Sequence, residues 1–244
     1  MSLLQGSNGE PLKKLSQPLT NTHSSVFVVP AERVANMKAI VITDQTFGKT
    51  LPLTKSIPHC LKNLMTIIAR ESVNCIFIIG DLVHFTESKE KEAKENLLKV
   101  LNAFEMIPLP IFIMAGDHNR RLLWETKYDK PGSNITIVYD FLIRITHPNP
   151  PLGTPANFYL THDAKNPLSL KLDEIESYAV ELKRAFNSEI ANEDFLLIGH
   201  CQTYVLNETA RVACIKEFSP DNHRNGYAII SVTPEGTKLN IVGK

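Results

Sequence analysis

The stretch CIFIIGD at residues 75–81 and the stretch IFIMAGDH at residues 111–118 are the strongest indications of the fold. Each is a run of large apolar residues that ends in glycine and then aspartate. Apolar runs of this length, without a polar residue at every second position, are typical of strands buried on both faces. Both stretches therefore predict strands of a covered, largely parallel sheet.

Similar runs recur along the chain and alternate with segments of helical spacing. The further strand-like runs are Ala39–Thr43, Ile135–Val138, Phe158–Leu160 and Phe195–Ile198. Apolar residues at helical spacing fall in three segments, residues 61–68, 93–104 and 172–186. After residue 200 this spacing ends, and two apolar runs at 227–232 and 239–242 flank a Pro-Glu-Gly turn, which predicts a hairpin. The pattern indicates one α/β (α+β) domain with helices outside packed sheets.

Length and composition restrict the partners and the compartment. The chain has 244 residues, with 26 Lys+Arg against 26 Asp+Glu, so no nucleic acid or anionic membrane is indicated as a partner. None of the four cysteines forms a CxxC pair, and we expect reduced thiols and a cytoplasmic location. No apolar run approaches the ~20 residues of a membrane span.

The first part of the chain differs in composition from the rest. Residues 1–24 are polar and rich in Ser, Thr, Asn, Gly and Pro. We therefore expect residues 1–37 to form a flexible or peripheral N-terminal extension, and residues 38–244 to form the folded domain.

Acidic or histidine side chains directly follow five of the predicted strands. They are Asp44, Asp81, Asp117, His162 and His200, and His118 comes next after Asp117. Because strand carboxyl ends share one edge of an open α/β sheet, we expect these side chains to meet there. A single Asp at such a place is usually a turn former or helix cap, so the prediction depends on the repetition.

Three carboxylates placed together repel one another unless a cation lies between them. Mixed carboxylate and imidazole ligands suit Mn, Fe or Zn, whereas hydroxyl and carbonyl oxygens suit Mg. The sequence therefore predicts a site for divalent metal, with one or two ions, at this edge.

At these residues the sequence resembles the calcineurin-like metallophosphoesterases. That family carries, in order, the blocks D-x-H, G-D-x-x-D/N, G-N-H-D/E, a lone H, and G-H-x-H. The matching blocks here are DQT at 44–46, GDLVH at 80–84, GDHN at 116–119, His162, and GHCQ at 199–202, and residues 219–229 resemble the family's last turn and strand. The resemblance implies a four-layer metallophosphoesterase-type β-sandwich flanked by helices.

The resemblance also implies two metal positions that clamp a phosphate and activate water. Asp81 would bridge both metals, and Asp117, His162 and His200 would complete the second position. His118 would contact the phosphate or protonate the leaving oxygen. The first position would take Asp44 and Asp81, but Thr46 and Gln202 replace the two histidines that the family has there.

Four further residues depart from the family's pattern or lie beside it. Asn119 stands where the family has the acid that orients the catalytic histidine, and His84 stands where it has Asp or Asn. Arg120 and Arg121 either bind a phosphate or are exposed arginines on a helix surface.

Two functions follow from this reading. One is a metal-dependent phosphoester hydrolase with an atypical site and an unknown phosphoester substrate. The alternative is a catalytically impaired or inactive scaffold of the same fold, which binds a protein partner. A nucleotide-binding Rossmann-type protein is disfavoured, because no G-x-G-x-x-G follows the first strand.

Overall fold

Strands and helices alternate along most of the described chain. The computed structural model describes residues 26–128, 130–162, 172–201, 204–218 and 226–243. The strands are β1 (Val26–Val28), β2 (Lys38–Thr43), β3 (Cys75–Gly80), β4 (Ile111–Ala115), β5 (Ile135–Val138), β6 (Leu142–Thr146), β7 (Asn157–His162), β8 (Phe195–Cys201), β9 (Val205–Asn207), β10 (Val212–Lys216), β11 (Tyr227–Thr233) and β12 (Gly236–Val242). The helices are α1 (Ala31–Val34), α2 (Leu53–Glu71), α3 (Glu90–Phe104), α4 (Asp117–Thr126) and α5 (Leu172–Ala185).

The strands form two mixed sheets of six strands each. Sheet I has the order β12-β11-β2-β3-β4-β5, and its strands β2 to β5 run parallel. Sheet II has the order β1-β6-β7-β8-β10-β9, and its neighbours β7, β8 and β10 run parallel. Parallel neighbours need crossover connections, which here bring helices to the outer faces of the sheets.

Three apolar clusters hold four layers together. One face of β3, with Ile76 and Ile78, packs under α2 and α3, whereas Phe77 and Ile79 on the other face pack between the two sheets. In sheet II the strand β8 likewise turns Leu197 towards the space between the sheets and Leu196 towards α5. The order of layers is therefore helices, sheet I, sheet II and α5, which confirms the predicted sandwich flanked by helices.

Most of the predicted elements are confirmed. All six apolar runs lie within strands, and the three segments of helical spacing overlap α2, α3 and α5. The C-terminal hairpin is the antiparallel pair β11 and β12. Strands β6, β9 and β10 were not predicted, because they are short and their sequences carry no clear apolar period.

One expectation about the sheet needs correction. The strands that carry Asp44, Asp81 and Asp117 belong to sheet I, whereas β7 and β8, which carry His162 and His200, belong to sheet II. The five residues therefore do not share one sheet edge. Apolar runs covered on both faces have the same sequence signature whichever sheet they join, so the pattern alone could not separate the two sheets.

The last residues of the predicted N-terminal extension pack against the sandwich. Strand β1 pairs with β6 at the edge of sheet II, and Val29, Val34 and Met37 are at most 2% exposed. Residues 1–25, the rest of the predicted extension, lie outside the described residues.

The four cysteines are buried and none forms a disulfide. Burial raises the pKa of the Cys75 thiol to about 12, so this group stays protonated at neutral pH. In the described part of the chain, no helix combines the length and the apolar character needed to cross a membrane.

Candidate metal centre

Asp44 occupies the tight turn that follows β2 and is 5% exposed. Its backbone adopts a left-handed conformation, with φ at 45°, which an aspartate tolerates better than most residues do. This turn directs the carboxylate across the ends of the neighbouring strands. Asp44 Oδ1 accepts hydrogen bonds from the backbone N–H of Asp81 (3.1 Å) and from His162 Nε2 (2.9 Å).

The contact between Asp44 and His162 joins the two sheets at the site. Asp44 follows β2 of sheet I, and His162 is the last residue of β7 in sheet II. An ionised carboxylate can only accept a hydrogen bond, so Nε2 of His162 carries the proton in this pair. Both side chains are buried, with exposed fractions of 7% and 2%, so water does not screen the contact.

Asp81 follows β3 and lies between the Asp44 turn and the start of α4. Its Oδ1 accepts a hydrogen bond from the backbone N–H of Asn119 (3.1 Å), in the first turn of α4. Its own carbonyl accepts from the N–H of Thr46 (3.0 Å). The partial positive charge at the helix start stabilises a carboxylate placed there.

Two glycines make this close approach feasible. A Cβ added to Gly80 would lie 2.5 Å from Asp44 Oδ1 and 2.7 Å from the ring of His162. A Cβ added to Gly116 would lie 2.5 Å from Asp81 Oδ1. The sequence blocks need glycine before the two aspartates because the carboxylates and the imidazole pack against these backbone positions.

Thr46 and Gln202 stand in place of the two histidines expected at the first metal position, and only Thr46 lies among the described residues. Thr46 is half-buried beside Asp81, and its backbone is left-handed, with φ at 42°. Gln202 lies outside the described residues. The structure therefore brings Asp44, Asp81 and the backbone of Thr46 to one region, and residue 46 supplies no imidazole there.

Gln45 is a buried polar residue that the sequence analysis did not single out. It is fully buried between Asp44 and Thr46, and neither its Oε1 nor its Nε2 makes a hydrogen bond with any described residue. A buried amide in this condition costs about 1–3 kcal/mol. The sequence gives no signal for it, since the middle residue of the D-x-H block is not specified by the family's pattern.

Asn119 acts on the backbone of the loop after β3. Its Oδ1 accepts from the N–H of Val83 (2.8 Å) and its Nδ2 donates to the carbonyl of Val83 (3.0 Å). The amide thus bridges both polar groups of one residue, and it is fully buried. His84 follows in the same loop, and its side chain is exposed.

Arg120 and Arg121 have different surroundings although they are neighbours on α4. The Arg120 guanidinium lies 4.2 Å from the ring centroid of Phe141, and no described carboxylate pairs with it. Arg121 contacts Glu125 (2.7 Å) and Glu90 (3.7 Å). The reading as an exposed helix-surface arginine therefore fits Arg121, whereas Arg120 keeps a cationic group beside the site.

The remaining predicted residues are placed by backbone only. Asp117 and His118 are the first two residues of α4, directly after Gly116, and His200 lies in β8 next to β7. The side chains of these three residues lie outside the described part of the structure. Their predicted roles as metal ligands and as the catalytic histidine therefore stay predictions.

Three of the described residues carry donor atoms of the kinds that divalent metals take. Among the side chains that the structure describes, no three His, Cys, Asp or Glu residues are grouped as a complete metal site. Asp44, Asp81 and His162 nevertheless supply oxygen and nitrogen donors of the kind that Mn, Fe and Zn take. Gly80 and Gly116 allow these residues to approach closely, because glycine has no side chain to lie between them.

Comparisons with known proteins give likenesses in structure only. No protein-family profile and no curated sequence matches the chain. A dimetal phosphatase from Danio rerio is similar at 12% identity and a TM-score of 0.49, over 85% of this chain and 96% of its own. The anchor protein GAP50 of the inner membrane complex of Plasmodium is similar at 12% identity and a TM-score of 0.46, over 85% and 84% of the two chains.

A third likeness is to the phosphoesterase Yfce from E. coli, at 13% identity and a TM-score of 0.39, over 85% of this chain and 99% of its own. At such identities and scores, none of these structures assigns a role to a residue of this chain. The ordered motif blocks and the four layers are features of the chain itself. By these features, the chain resembles the calcineurin-like metallophosphoesterases, and its two mixed sheets flanked by helices form an α/β fold.

Proposed function

We propose that this chain is a metal-dependent phosphoester hydrolase with an atypical first metal position. The observation that carries the proposal is the buried Asp44 carboxylate, which contacts the backbone N–H of Asp81 and, from the other sheet, His162. Burying a carboxylate is costly, so its position against a histidine across the sandwich supports a functional role. The phosphoester substrate is not identified by these residues.

The resident cation would be held mainly at the second metal position. Asp81, Asp117, His162 and His200 would bind it there, and Asp44, with Thr46 and Gln202, would form a weaker oxygen-rich first position. A bound divalent ion supplies Lewis acidity towards the phosphoryl oxygens and lowers the pKa of a water that it binds. Mn, Fe or Zn suits the second position, and Mg suits the first.

Groups of the chain itself would bind the phosphate, supply a proton and orient Asp81. Arg120 would bind a phosphoryl oxygen, because its guanidinium is not neutralised by a described carboxylate. His118, beside it at the start of α4, would give its proton to the leaving oxygen. The N–H of Asn119 keeps Asp81 in a fixed orientation through the bond to Oδ1 (3.1 Å).

A scaffold of the same fold remains the second candidate function. The observation that favours it is Thr46, which stands at the turn beside Asp81 where the family's pattern has an imidazole. A bridging nucleophile needs both metal positions, and hydroxyl oxygen binds Mn, Fe or Zn weakly. Such a protein would bind a partner protein and would show no turnover with any metal.

The decisive experiment compares the wild type with Asp81→Asn and with Glu208→Gln, in which an exposed carboxylate loses the same charge. Hydrolysis of bis-p-nitrophenyl phosphate is measured with Mn²⁺, and Mn²⁺ binding is measured by calorimetry. We expect Asp81→Asn to lose at least about 100-fold in rate, whereas Glu208→Gln keeps the wild-type rate.

Two results would count against the enzyme. Activity that survives Asp81→Asn would place the reaction elsewhere in the protein. A wild type that binds Mn²⁺ but shows no turnover would favour the scaffold. The asparagine amide oxygen can still accept the bond from Asn119, so urea unfolding of the variant should stay close to that of the wild type.

A cytoplasmic location is part of the same proposal. All four cysteines are buried thiols without a disulfide, which is typical of proteins in a reducing compartment.

A further inference from the structure

Four side chains form a partly exposed aromatic group beside the candidate metal centre. We call this group the aromatic platform, and it consists of Arg120 and Trp124 on α4 with Tyr139 and Phe141 after β5. Trp124 meets Tyr139 edge to face, with ring centroids 5.2 Å apart, and Arg120 lies over Phe141 at 4.2 Å. Because Arg120 and Trp124 are four residues apart, they share one face of the helix.

The platform adjoins the candidate metal centre through both sheets. Arg120 directly follows Asn119, whose N–H bonds to Asp81. The carbonyl of Phe141 accepts a hydrogen bond from Thr161 Oγ1 (2.9 Å). Thr161 directly precedes His162 in the chain. Arg120 and Phe141 therefore meet across the junction of the sheets at which Asp44, Asp81 and His162 lie.

The exposure of the platform is unusual for such large apolar groups. Trp124 is 67% exposed and Phe141 is 39% exposed, although the rest of the α4 apolar face, Leu122 and Leu123, is buried. Tyr139 contacts Trp124 edge to face, so that a face of the indole stays accessible. Exposed aromatic faces beside a cation are suited to stacking with a planar ring.

The positive charge of Arg120 indicates that the ligand also carries an anionic group. Arg121, the next residue, is engaged by Glu90 and Glu125, but no described carboxylate pairs with Arg120. Its Nε is buried and makes no hydrogen bond within the part of the chain that the structure describes. A ligand with a flat aromatic ring and a nearby phosphate would contact both the rings and the guanidinium.

We propose that the aromatic platform binds the base of a nucleotide, whose phosphate contacts Arg120 and points to the candidate metal centre. This proposal rests on the proposed function, since it names the substrate class for the same site. The base would stack on Trp124 and Phe141 without base-specific hydrogen bonds, because the platform offers ring faces and no set of buried donors and acceptors.

Trp124 makes the proposal directly measurable, since it is the only tryptophan in the chain. Its fluorescence is recorded in metal-free buffer with EDTA while AMP, adenosine or ribose 5-phosphate is added to the full-length protein. We expect saturable quenching by AMP, weaker binding of adenosine, and no comparable binding of ribose 5-phosphate. Binding of ribose 5-phosphate as tight as that of AMP would overturn the proposal.

Variants of Phe141 and Arg120 measure separately how much the aromatic ring and the positive charge contribute to binding. Phe141→Leu should weaken AMP binding about tenfold, which corresponds to about 1.4 kcal/mol, and should leave any binding of ribose 5-phosphate unchanged. Arg120→Met should weaken the binding of AMP but not the binding of adenosine. Met106→Leu, at a residue 81% exposed and outside the platform, is the matched control and should change nothing. Equal AMP affinity in all variants would contradict a stacking site.

The two proposals can fail separately. Asp81→Asn should keep AMP quenching, because the platform lies outside the metal donors. Quenching by AMP without hydrolysis of any ester would contradict the proposed hydrolase activity and would support the aromatic platform as a nucleotide site. Hydrolysis of bis-p-nitrophenyl phosphate without AMP binding would keep the enzyme and remove the nucleotide.

Discussion

At the scale of single residues, Thr46 is the position where backbone strain and the candidate metal chemistry coincide. Its φ of 42° is left-handed, which is unfavourable for a β-branched side chain. Histidine and asparagine enter this backbone region more readily. Thr46 therefore carries a conformational cost in the turn beside Asp81 and offers only a hydroxyl as a donor.

We predict that Thr46→His binds Mn²⁺ at least about tenfold more tightly than the wild type, because even supporting groups change metal affinity by about 10–100-fold. Thr46→Asn is the matched control, since it relieves the same strain without adding an imidazole. Both variants should gain about 1 kcal/mol in the free energy of unfolding, measured with urea. If Thr46→His binds Mn²⁺ no better than Thr46→Asn, residue 46 does not face the first metal position.

Asn119 stands in the position of the family's orienting acid, but the structure shows it holding the Val83 backbone. We predict that Asn119→Asp destabilises the fold by about 3–5 kcal/mol instead of improving catalysis, because a buried carboxylate would face the Val83 carbonyl, now 3.0 Å from Nδ2. Burial and this carbonyl would raise the pKa of the introduced carboxyl group above its unfolded value. The variant should therefore be least stable at neutral pH and should recover stability as the pH falls.

Urea unfolding at pH 7 and pH 5 checks this prediction. Asn102→Asp, at an exposed position of α3, is a control that adds the same charge. A variant as stable as the wild type at pH 7 would mean that the Val83 contact is dispensable.

At the scale of elements, charged side chains connect α3 to α4 and so support the helix that begins with Asp117. Lys94 contacts Glu90 (2.7 Å) and Glu125 (2.6 Å), and Arg121 also contacts Glu125 (2.7 Å). The hydrogen bonds from Arg121 and Lys94 lower the pKa of Glu125 to about 2. These contacts are at the surface, so we expect a modest effect that salt reduces.

We predict that Glu125→Gln lowers Tm modestly at pH 7, and that 1 M NaCl reduces the difference from the wild type. Because the folded-state pKa lies below the unfolded value of about 4.5, the contribution of Glu125 is present above pH 4.5 and is lost as the pH falls towards 2. The Tm difference should therefore vanish near pH 2. Glu92→Gln, whose single ion pair is 3.8 Å long, is the control and should shift Tm less.

At the scale of the whole molecule, the sandwich includes residues that precede the predicted start of the domain. Met37 is 1% exposed and packs between the sheets, and its carbonyl accepts a hydrogen bond from the N–H of Val232 (2.7 Å). Phe27 of β1 packs against Phe112 of β4 with ring centroids 5.8 Å apart. We therefore propose that the folded unit begins by residue 26.

We predict that Met37→Ala lowers the free energy of unfolding by about 2–5 kcal/mol, because it leaves a cavity between the sheets. Met106→Ala makes the same change at a residue that is 81% exposed and should stay within about 0.5 kcal/mol of the wild type. Urea unfolding measures both variants. Equal effects at the two positions would mean that Met37 lies outside the folded unit.

The sequence by itself determined most of the strands, the three longest helices and the residues at the strand ends. These features are local: an apolar run, a helical period or a glycine before an aspartate depends on neighbours in the chain. The terminal hairpin and the order of the motif blocks follow from the same kind of information.

Only the tertiary structure decided which strands belong to each of the two sheets and that Asp44 meets His162 across them. Contacts between residues 118 positions apart depend on how whole layers pack, and no local pattern encodes that. For the same reason, the sequence could not show that Asn119 binds Val83, that Arg120 stays unpaired by described carboxylates while Arg121 is engaged, or that Trp124 lies exposed beside the site. Those differences arise from the neighbours that packing supplies.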